Sequence, residues 1–233
     1  MNKITQFSTI GALMSGFFKG EFCLLLGKSQ YSFGLGCSEK LNGELTVFDG
    51  IAYRATADES LTELEKNSPL PFVQVTDFTP QHQHNTGEVN EQNIESILRQ
   101  SINPDNIFLA ITIEAHFDTM IIRRPHRQDE GERSVEEVAS AQQVDTHHAI
   151  GGHLVGFWTP ELFGRVSVPG FHFHFLDTEK HISGHVLQFS AKSAVLSFEE
   201  KRSIEITLPD SEEYTSLPID VAKLDQLIHK IEK

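Results

Sequence analysis

The sequence predicts an α+β protein of mixed α/β character, built from two β-sheet-based halves, and three observations predict it. Short apolar or alternating runs recur along the chain, separated by Gly-rich and polar turns. Helical periodicity is confined to a few short segments and one amphipathic stretch near the C-terminal end. Composition supplies the third: 39% hydrophobic residues, 17 Phe and 22% charged residues in 233 positions describe a globular chain that buries its own core. We expect an N-terminal mixed sheet with helices over residues 1–125. Residues 126–233 are expected to form a mainly antiparallel or barrel-like sheet with a terminal helix, as a second half or as part of one compact unit.

Ser8 to Phe18 reads as a short helix capped by Ser8, against the resistance of Gly11 and Gly16. Phe22 to Leu26, Ser32 to Leu35 and Leu45 to Phe48 then read as a strand meander, punctuated by Gly27, Gly34, Gly36, Gly43 and Gly50. Thr79 to Asn90 is polar and reads as a loop, and Glu91 to Arg99 as a helix with Ile94, Ile97 and Leu98 at helical spacing. Ile107 to Arg123 is rich in Ile, Phe and Thr and is expected to contain two strands. After the charged loop DEGER, Ser134 with Glu137 three residues on forms a capping box for a helix to Ala141.

Six further strands are predicted: His153 to Trp158, Arg165 to Val168, Gly170 to Leu176, Gly184 to Ser190, Ala194 to Glu199 and Ser203 to Leu208. Their spacing points to a second sheet. Val221 to Glu232 closes the pattern as an amphipathic helix, with Val221, Leu224, Leu227, Ile228 and Ile231 on one face.

With 19 Lys and Arg against 33 Asp and Glu, the formal charge of -14 repels phosphate backbones and anionic membranes, which argues against nucleic-acid binding. An anionic small-molecule substrate then needs local positive charge, from a metal or an arginine. Two cysteines, Cys23 and Cys37, make no disulfide framework, and no segment approaches the roughly 20 apolar residues of a membrane span. A soluble cytoplasmic protein is expected, as a homodimer.

Four of the twelve histidines fall within GFHFHFLDTEKHISGH, Gly170 to His185. On a strand, His172 and His174 share one face while Phe171, Phe173 and Phe175 take the other. A turn around Asp177 to Ser183 returns the chain so that His185 can supply a third ligand, with His181 in the turn as its competitor. Three neutral imidazoles with open positions suit a catalytic zinc site, and also iron, nickel or copper. The bland reading is an amphipathic strand with two exposed histidines. His82 and His84 form a second pair in a polar stretch, where solvent exposure is expected, and His147 and His148 are adjacent and cannot both face one site from a strand.

STIGAL at Ser8 to Leu13, FGLGxxxxLNGEL from Phe33 to Leu45, RRPHRQ at Arg123 to Gln128, GFWTPE at Gly156 to Glu161, VPGFHFHF at Val168 to Phe175 and GHVL at Gly184 to Leu187 occur in this order. In this set, which covers nearly the whole chain, the sequence resembles the acetolactate decarboxylases. The resemblance implies zinc-dependent conversion of 2-acetolactate to acetoin and carbon dioxide, a carboxy-lyase activity proceeding through an enediolate that the metal stabilises. It further implies His172, His174 and His185 as ligands, Glu44 and Arg123 facing the metal, and Glu232 reaching in from a docked terminal helix.

Glu44 and Glu232 are both candidates for delivering the proton. Without the resemblance, Glu44 reads as a turn carboxylate after Asn42-Gly43, and Arg124 rivals Arg123 because strand neighbours face opposite ways. Two departures from the family pattern stand out: Cys37 beside the cleft replaces the usual Thr, and His153 replaces a small hydroxyl residue. The competing readings are another three-histidine metalloenzyme, a hydrolase or oxygenase, and a non-catalytic metal-binding or small-molecule-binding module.

Overall fold

The computed structural model describes residues 3–24, 32–65, 67–128 and 135–232. In chain order the elements begin with β1 (Lys3–Phe7), α1 (Ile10–Met14), β2 (Phe22–Cys23), β3 (Phe33–Cys37), β4 (Glu44–Phe48), β5 (Ile51–Ala55) and β6 (Thr62–Glu63). There follow β7 (Pro69–Leu70), β8 (Phe72–Thr76), β9 (His82–Thr86), β10 (Val89–Asn90), α2 (Ile94–Arg99), β11 (Phe108–Arg124), α3 (Val135–Ser140) and β12 (Gln143–Thr159). The last are β13 (Gly170–Asp177), β14 (Ser183–Ala191), β15 (Ala194–Lys201), β16 (Ser203–Thr207), α4 (Glu212–Thr215) and α5 (Val221–Glu232). No helix among the described residues is long and apolar enough to cross a membrane.

The first sheet runs β16-β1-β8-β3-β4-β5-β6 and is mixed, because β16 joins β1 in parallel while the other pairs are antiparallel. Both faces of its centre are covered. Leu45, Val47, Val73 and Val75 pack on one side, and Ile4, Phe33 and Leu35 meet Phe108, Ala110, Val155 and Phe157 of the second sheet on the other. A buried ion pair fastens the crossing between the sheets. Lys201 Nζ lies 2.9 Å from Glu199 Oε1 and donates to the Asp77 carbonyl at 2.7 Å, while Glu199 accepts from the Thr79 amide at 2.8 Å.

The second sheet runs β10-β14-β13-β12-β11-β15-β9 and bends back on itself through an additional β14–β11 pairing. β11 makes this possible. Its first part, Phe108 to Ala115, pairs with β15, and its last part, Thr119 to Arg123, pairs with β14, so one 17-residue strand serves two neighbours on the same edge. The strand keeps its length because nothing between Phe108 and Arg124 is Gly or Pro. Inside the partial ring, Phe117 meets Phe175 and Phe189 edge to face, at 5.7 and 6.1 Å between ring centroids.

The sheet-rich α+β class stands, and several elements differ from their expected form. Helix α1 starts at Ile10 with Thr9 as its cap, accepting from the Ala12 amide at 3.1 Å, because β1 runs up to Phe7 and Ser8 turns with φ 63°. Within the run 107–123, where two strands were expected, the single strand Phe108–Arg124 forms, since no Gly or Pro interrupts it. The polar run 79–90 contains β9 and β10, where pairing with β15 and β14 overrides weak propensity. Residues 165–168 are turn and coil, and Ser203–Thr207 is a strand of the first sheet rather than the second. The expected extension of β2 to Leu26 and the Ser134 cap with its DEGER loop lie outside the described residues.

Helix α5 buries Leu224, Ile228 and Ile231 and leaves Val221 exposed. Its apolar stripe packs with Ile10, Leu13 and Met14 of α1 and Val138 of α3. Three helices thus roof one end of the gap between the sheets.

Candidate active site

Strand register alone assembles most of the site. Arg123 on β11 pairs with His185 on β14, and His185 pairs with His174 on β13, so three chemically active side chains form one row across three strands. His172 lies two residues before His174 and therefore on the same face. Gly156 on β12 pairs with Phe173 across the ladder, and a Cβ there would lie 2.0 Å from the carbonyl oxygen of the adjoining His172. Only glycine lets β12 approach closely enough to seat His172.

The ligand-capable nitrogens of His172, His174 and His185 all lie within 4.8 Å of one another, and all three residues are buried. His174 Nδ1 sits 2.9 Å from the Leu45 carbonyl oxygen. A carbonyl only accepts, so Nδ1 carries the proton and the Nε2 lone pair points inward. His172 Nε2 and His185 Nδ1 face each other at 3.2 Å. Burial drives all three imidazole pKa values down, that of His172 to about 3, with the Arg123 guanidinium adding to the effect on His172 and His185. Neutral imidazole is the form that binds a metal.

Two carboxylates approach this group from different sides. Glu44 opens β4, where Gly43 turns the chain with φ 114°, and its Oε2 lies 3.6 Å from His174 Nε2. Burial raises the Glu44 pKa to about 8, Arg123 opposing and Glu232 assisting. Glu232, from the last turn of α5, places Oε2 3.7 Å from both His172 Nε2 and His185 Nδ1 and 3.3 Å from Arg123 Nη2. Burial also raises its pKa, against the pull of Arg123. Among the described residues, neither Glu232 Oε2 nor Arg123 Nε makes a hydrogen bond, although Oε2 is ion-paired with Arg123 Nη2.

Cys37 faces Glu44 across the β3–β4 ladder and lines the same chamber. Burial, reinforced by the two carboxylates, raises its thiol pKa, so it stays a neutral thiol. Arg124 points elsewhere, donating to Asp145 through Nε at 3.1 Å and to the Thr56 carbonyl at 2.7 Å. His181 is exposed in the β13–β14 turn, its amide held by Asp177. His82 and His84 are exposed on β9, and His153 lies against Phe48 at 4.7 Å between ring centroids, outside the chamber. His147 and His148 lie on β12, also outside it.

The structure adds residues that the sequence did not single out. Leu45 orients His174 through its carbonyl, and Thr46 reaches Ser183 at 2.9 Å beside that imidazole. Leu13, Met14, Phe72 and Val138 supply an apolar wall to the chamber. No residue-type pattern signals a backbone carbonyl or a wall assembled from three elements; for Gly156 the signal was present, as a glycine inside a strand.

A sequence model of alpha-acetolactate decarboxylase matches residues 4–221. The chain is 31% identical over 230 residues to the alpha-acetolactate decarboxylase of Klebsiella aerogenes, covering 98% of this chain and 88% of that protein. It is 34% identical over 195 residues to that of Lactococcus lactis subsp. cremoris, with 81% of each covered. The crystal structure of alpha-acetolactate decarboxylase from Bacillus subtilis strain 168 superposes with a TM-score of 0.94 at 27% identity, covering 99% of both chains. A Staphylococcus aureus protein described as similar to alpha-acetolactate decarboxylase superposes at 0.93 with 26% identity, over 99% of this chain and 100% of that one. With a family match over residues 4–221, relatives above 30% identity across most of the chain and a shared fold, this chain belongs to the alpha-acetolactate decarboxylase family.

Proposed function

We propose that this carboxy-lyase converts 2-acetolactate to acetoin and carbon dioxide with a zinc ion held by His172, His174 and His185. The carrying observation is the buried, neutral three-histidine group with Arg123 beside it. The donor set fits a divalent metal: three neutral imidazoles converge, the His174 tautomer is fixed by a carbonyl, and Glu232 Oε2 faces two of the rings with no hydrogen bond from the described residues. Zinc bound there would supply Lewis-acid stabilisation of the negative charge that departure of carbon dioxide leaves on the substrate.

The chain's own residues account for the rest. Arg123 offers the charge that attracts and orients the substrate carboxylate in an otherwise acidic protein. It also pairs with Glu232 and favours the ionised form of that carboxyl. Glu44 is left as the group that returns a proton to the carbon that has lost its carboxylate, from the side of His174. Leu13, Met14 and Val138 exclude water from the chamber. Incubating the purified chain with 2-acetolactate and measuring acetoin, alongside zinc content, tests the reading. Absence of acetoin from zinc-loaded protein would overturn it, and a hydrolase or oxygenase using the same histidines would then be the next reading to assay.

A further inference from the structure

β13 and β14 pair only where His174 to Leu176 meets Ser183 to His185. At His185 the strand β14 pairs with both β13 and β11, and beyond Val186 its register against β11 slips by one residue, leaving Leu187 as an extra residue in a bulge. The first half of β13 therefore has no β14 partner. A cleft of about 290 Å³ occupies this region, walled by Trp158, Phe171, Phe173, Val186 and Phe189. Its inner end is formed by His172, His185 and Glu232, which also line the substrate chamber. The histidine group is thus open from two directions.

The two openings differ in size and in chemistry. The chamber beside Arg123 has about 50 Å³ of free space, room for only a few waters, so a bound substrate fills it. The cleft is larger, and its rim carries Glu91 and Glu95, both exposed; Glu95 is ion-paired with Arg99 at 2.8 Å, so Glu91 is the group that disfavours a carboxylate there. Its walls between rim and imidazoles are aromatic and aliphatic. The Trp158 indole N–H is already donated to the Pro104 carbonyl at 2.9 Å, and Glu91 accepts from the Phe189 amide at 3.3 Å. Short of the imidazoles, a ketol or an acid passing through meets apolar side chains and only the open backbone edge of β13 as a polar partner, whereas an uncharged apolar molecule loses nothing there.

We propose that this cleft is the exit passage for carbon dioxide, separate from the Arg123 side by which the anionic substrate enters; the assignment rests on the decarboxylase reading above. When the bond between the carboxylate carbon and its neighbour breaks, the electron pair stays on the substrate, and the carbon dioxide that forms is neutral, linear and small. The remaining enediolate fragment, not yet protonated, blocks the narrow chamber. Carbon dioxide that cannot leave recombines with that fragment, so a passage on the far side of the imidazoles commits the reaction forward.

Xenon, an apolar probe of similar size, tests the cleft directly in crystals of the zinc-loaded wild-type protein under pressure. A xenon peak among Phe171, Phe173 and Val186 is expected. Leu187, half-buried in the cleft wall and outside the catalytic group, is the position at which to close it. Leu187→Trp should lose the xenon peak, keep zinc content, KM and the first-turnover rate, and lower the steady-state kcat about fivefold as product escape becomes limiting. Leu187→Ala should behave as wild type. No xenon in the wild-type cleft overturns the proposal whether or not the variants fold. Exclusion of xenon by Leu187→Trp with an unchanged kcat overturns the passage while the decarboxylase reading stands, whereas a wild type that makes no acetoin overturns both.

Discussion

Arg123 Nη2 and Glu232 Oε2 stand 3.3 Å apart, both side chains 7% exposed, and this contact joins the end of β11 to the last turn of α5. A buried charge pair between a strand and a helix end makes the geometry of the site depend on the docking of that helix.

Glu232→Ala should therefore leave the fold intact and lower kcat by about 100-fold or more, since it removes a carboxylate facing two imidazoles and frees the Arg123 side chain. Steady-state kinetics together with far-UV circular dichroism check this. A variant with wild-type turnover would show that α5 only roofs the chamber.

The phase of β11 is checked by a pair of conservative changes. Arg123→Lys keeps the charge but loses the planar fork, and turnover should fall by about 100-fold. Arg124→Lys, confined to the Asp145 and Thr56 contacts, should cost less than about 1 kcal/mol of stability and leave turnover nearly unchanged. Equal losses in acetoin formation would mean that the second arginine also serves the site.

His174→Ala should abolish zinc retention, measured as metal per chain after dialysis, while His181→Ala and His84→Ala retain it. Chelating the metal from the wild-type protein should lower the thermal midpoint, because a ligand present at about 1,000 times its Kd stabilises the native state by about 4 kcal/mol. An unchanged midpoint in protein shown to have lost its zinc would contradict binding at this buried group.

Gly156→Ala places a methyl group 2.0 Å from the His172 carbonyl oxygen, so β12 or β13 must shift. The expected cost is about 3 kcal/mol of stability, with weakened zinc binding. Denaturant unfolding with and without zinc separates the two effects.

Away from the site, Lys201→Met strands Glu199 in the interior and should cost about 3–5 kcal/mol, most of it recovered when Glu199→Leu is added. Urea unfolding of the single and double variants measures this. If the double variant is no more stable than the single, the Thr79 amide left without its acceptor is the larger loss.

The histidine strand was legible because its period is two, with Phe on one face and His on the other, and a period needs no tertiary information. Helix α5 was legible for the same reason with a longer period. The fusion of residues 108–124 into one strand was not, since what decides it is a second partner on the same edge, and the two partners lie 62 to 93 positions downstream. β9 was hidden because its side chains HQHNT are polar and exposed, and only its pairing with β15 makes it a strand. Glu44 reads locally as a turn residue; what buries it is Arg123 and the imidazole of His174, neither of which is near it in sequence.

β1 is closed on one edge by residues 203–207, in parallel pairing with Lys3 to Phe7. During synthesis β1 therefore waits with that edge open until residues 203–207 have been made, and the chamber waits longer still, for Glu232. A segment held open for so long is exposed to chaperones and to pairing with neighbouring nascent chains. Shortening α5 should accordingly impair the yield of active enzyme in cells as well as its turnover, and slower translation over residues 203–232 should prolong the interval in which β1 is vulnerable.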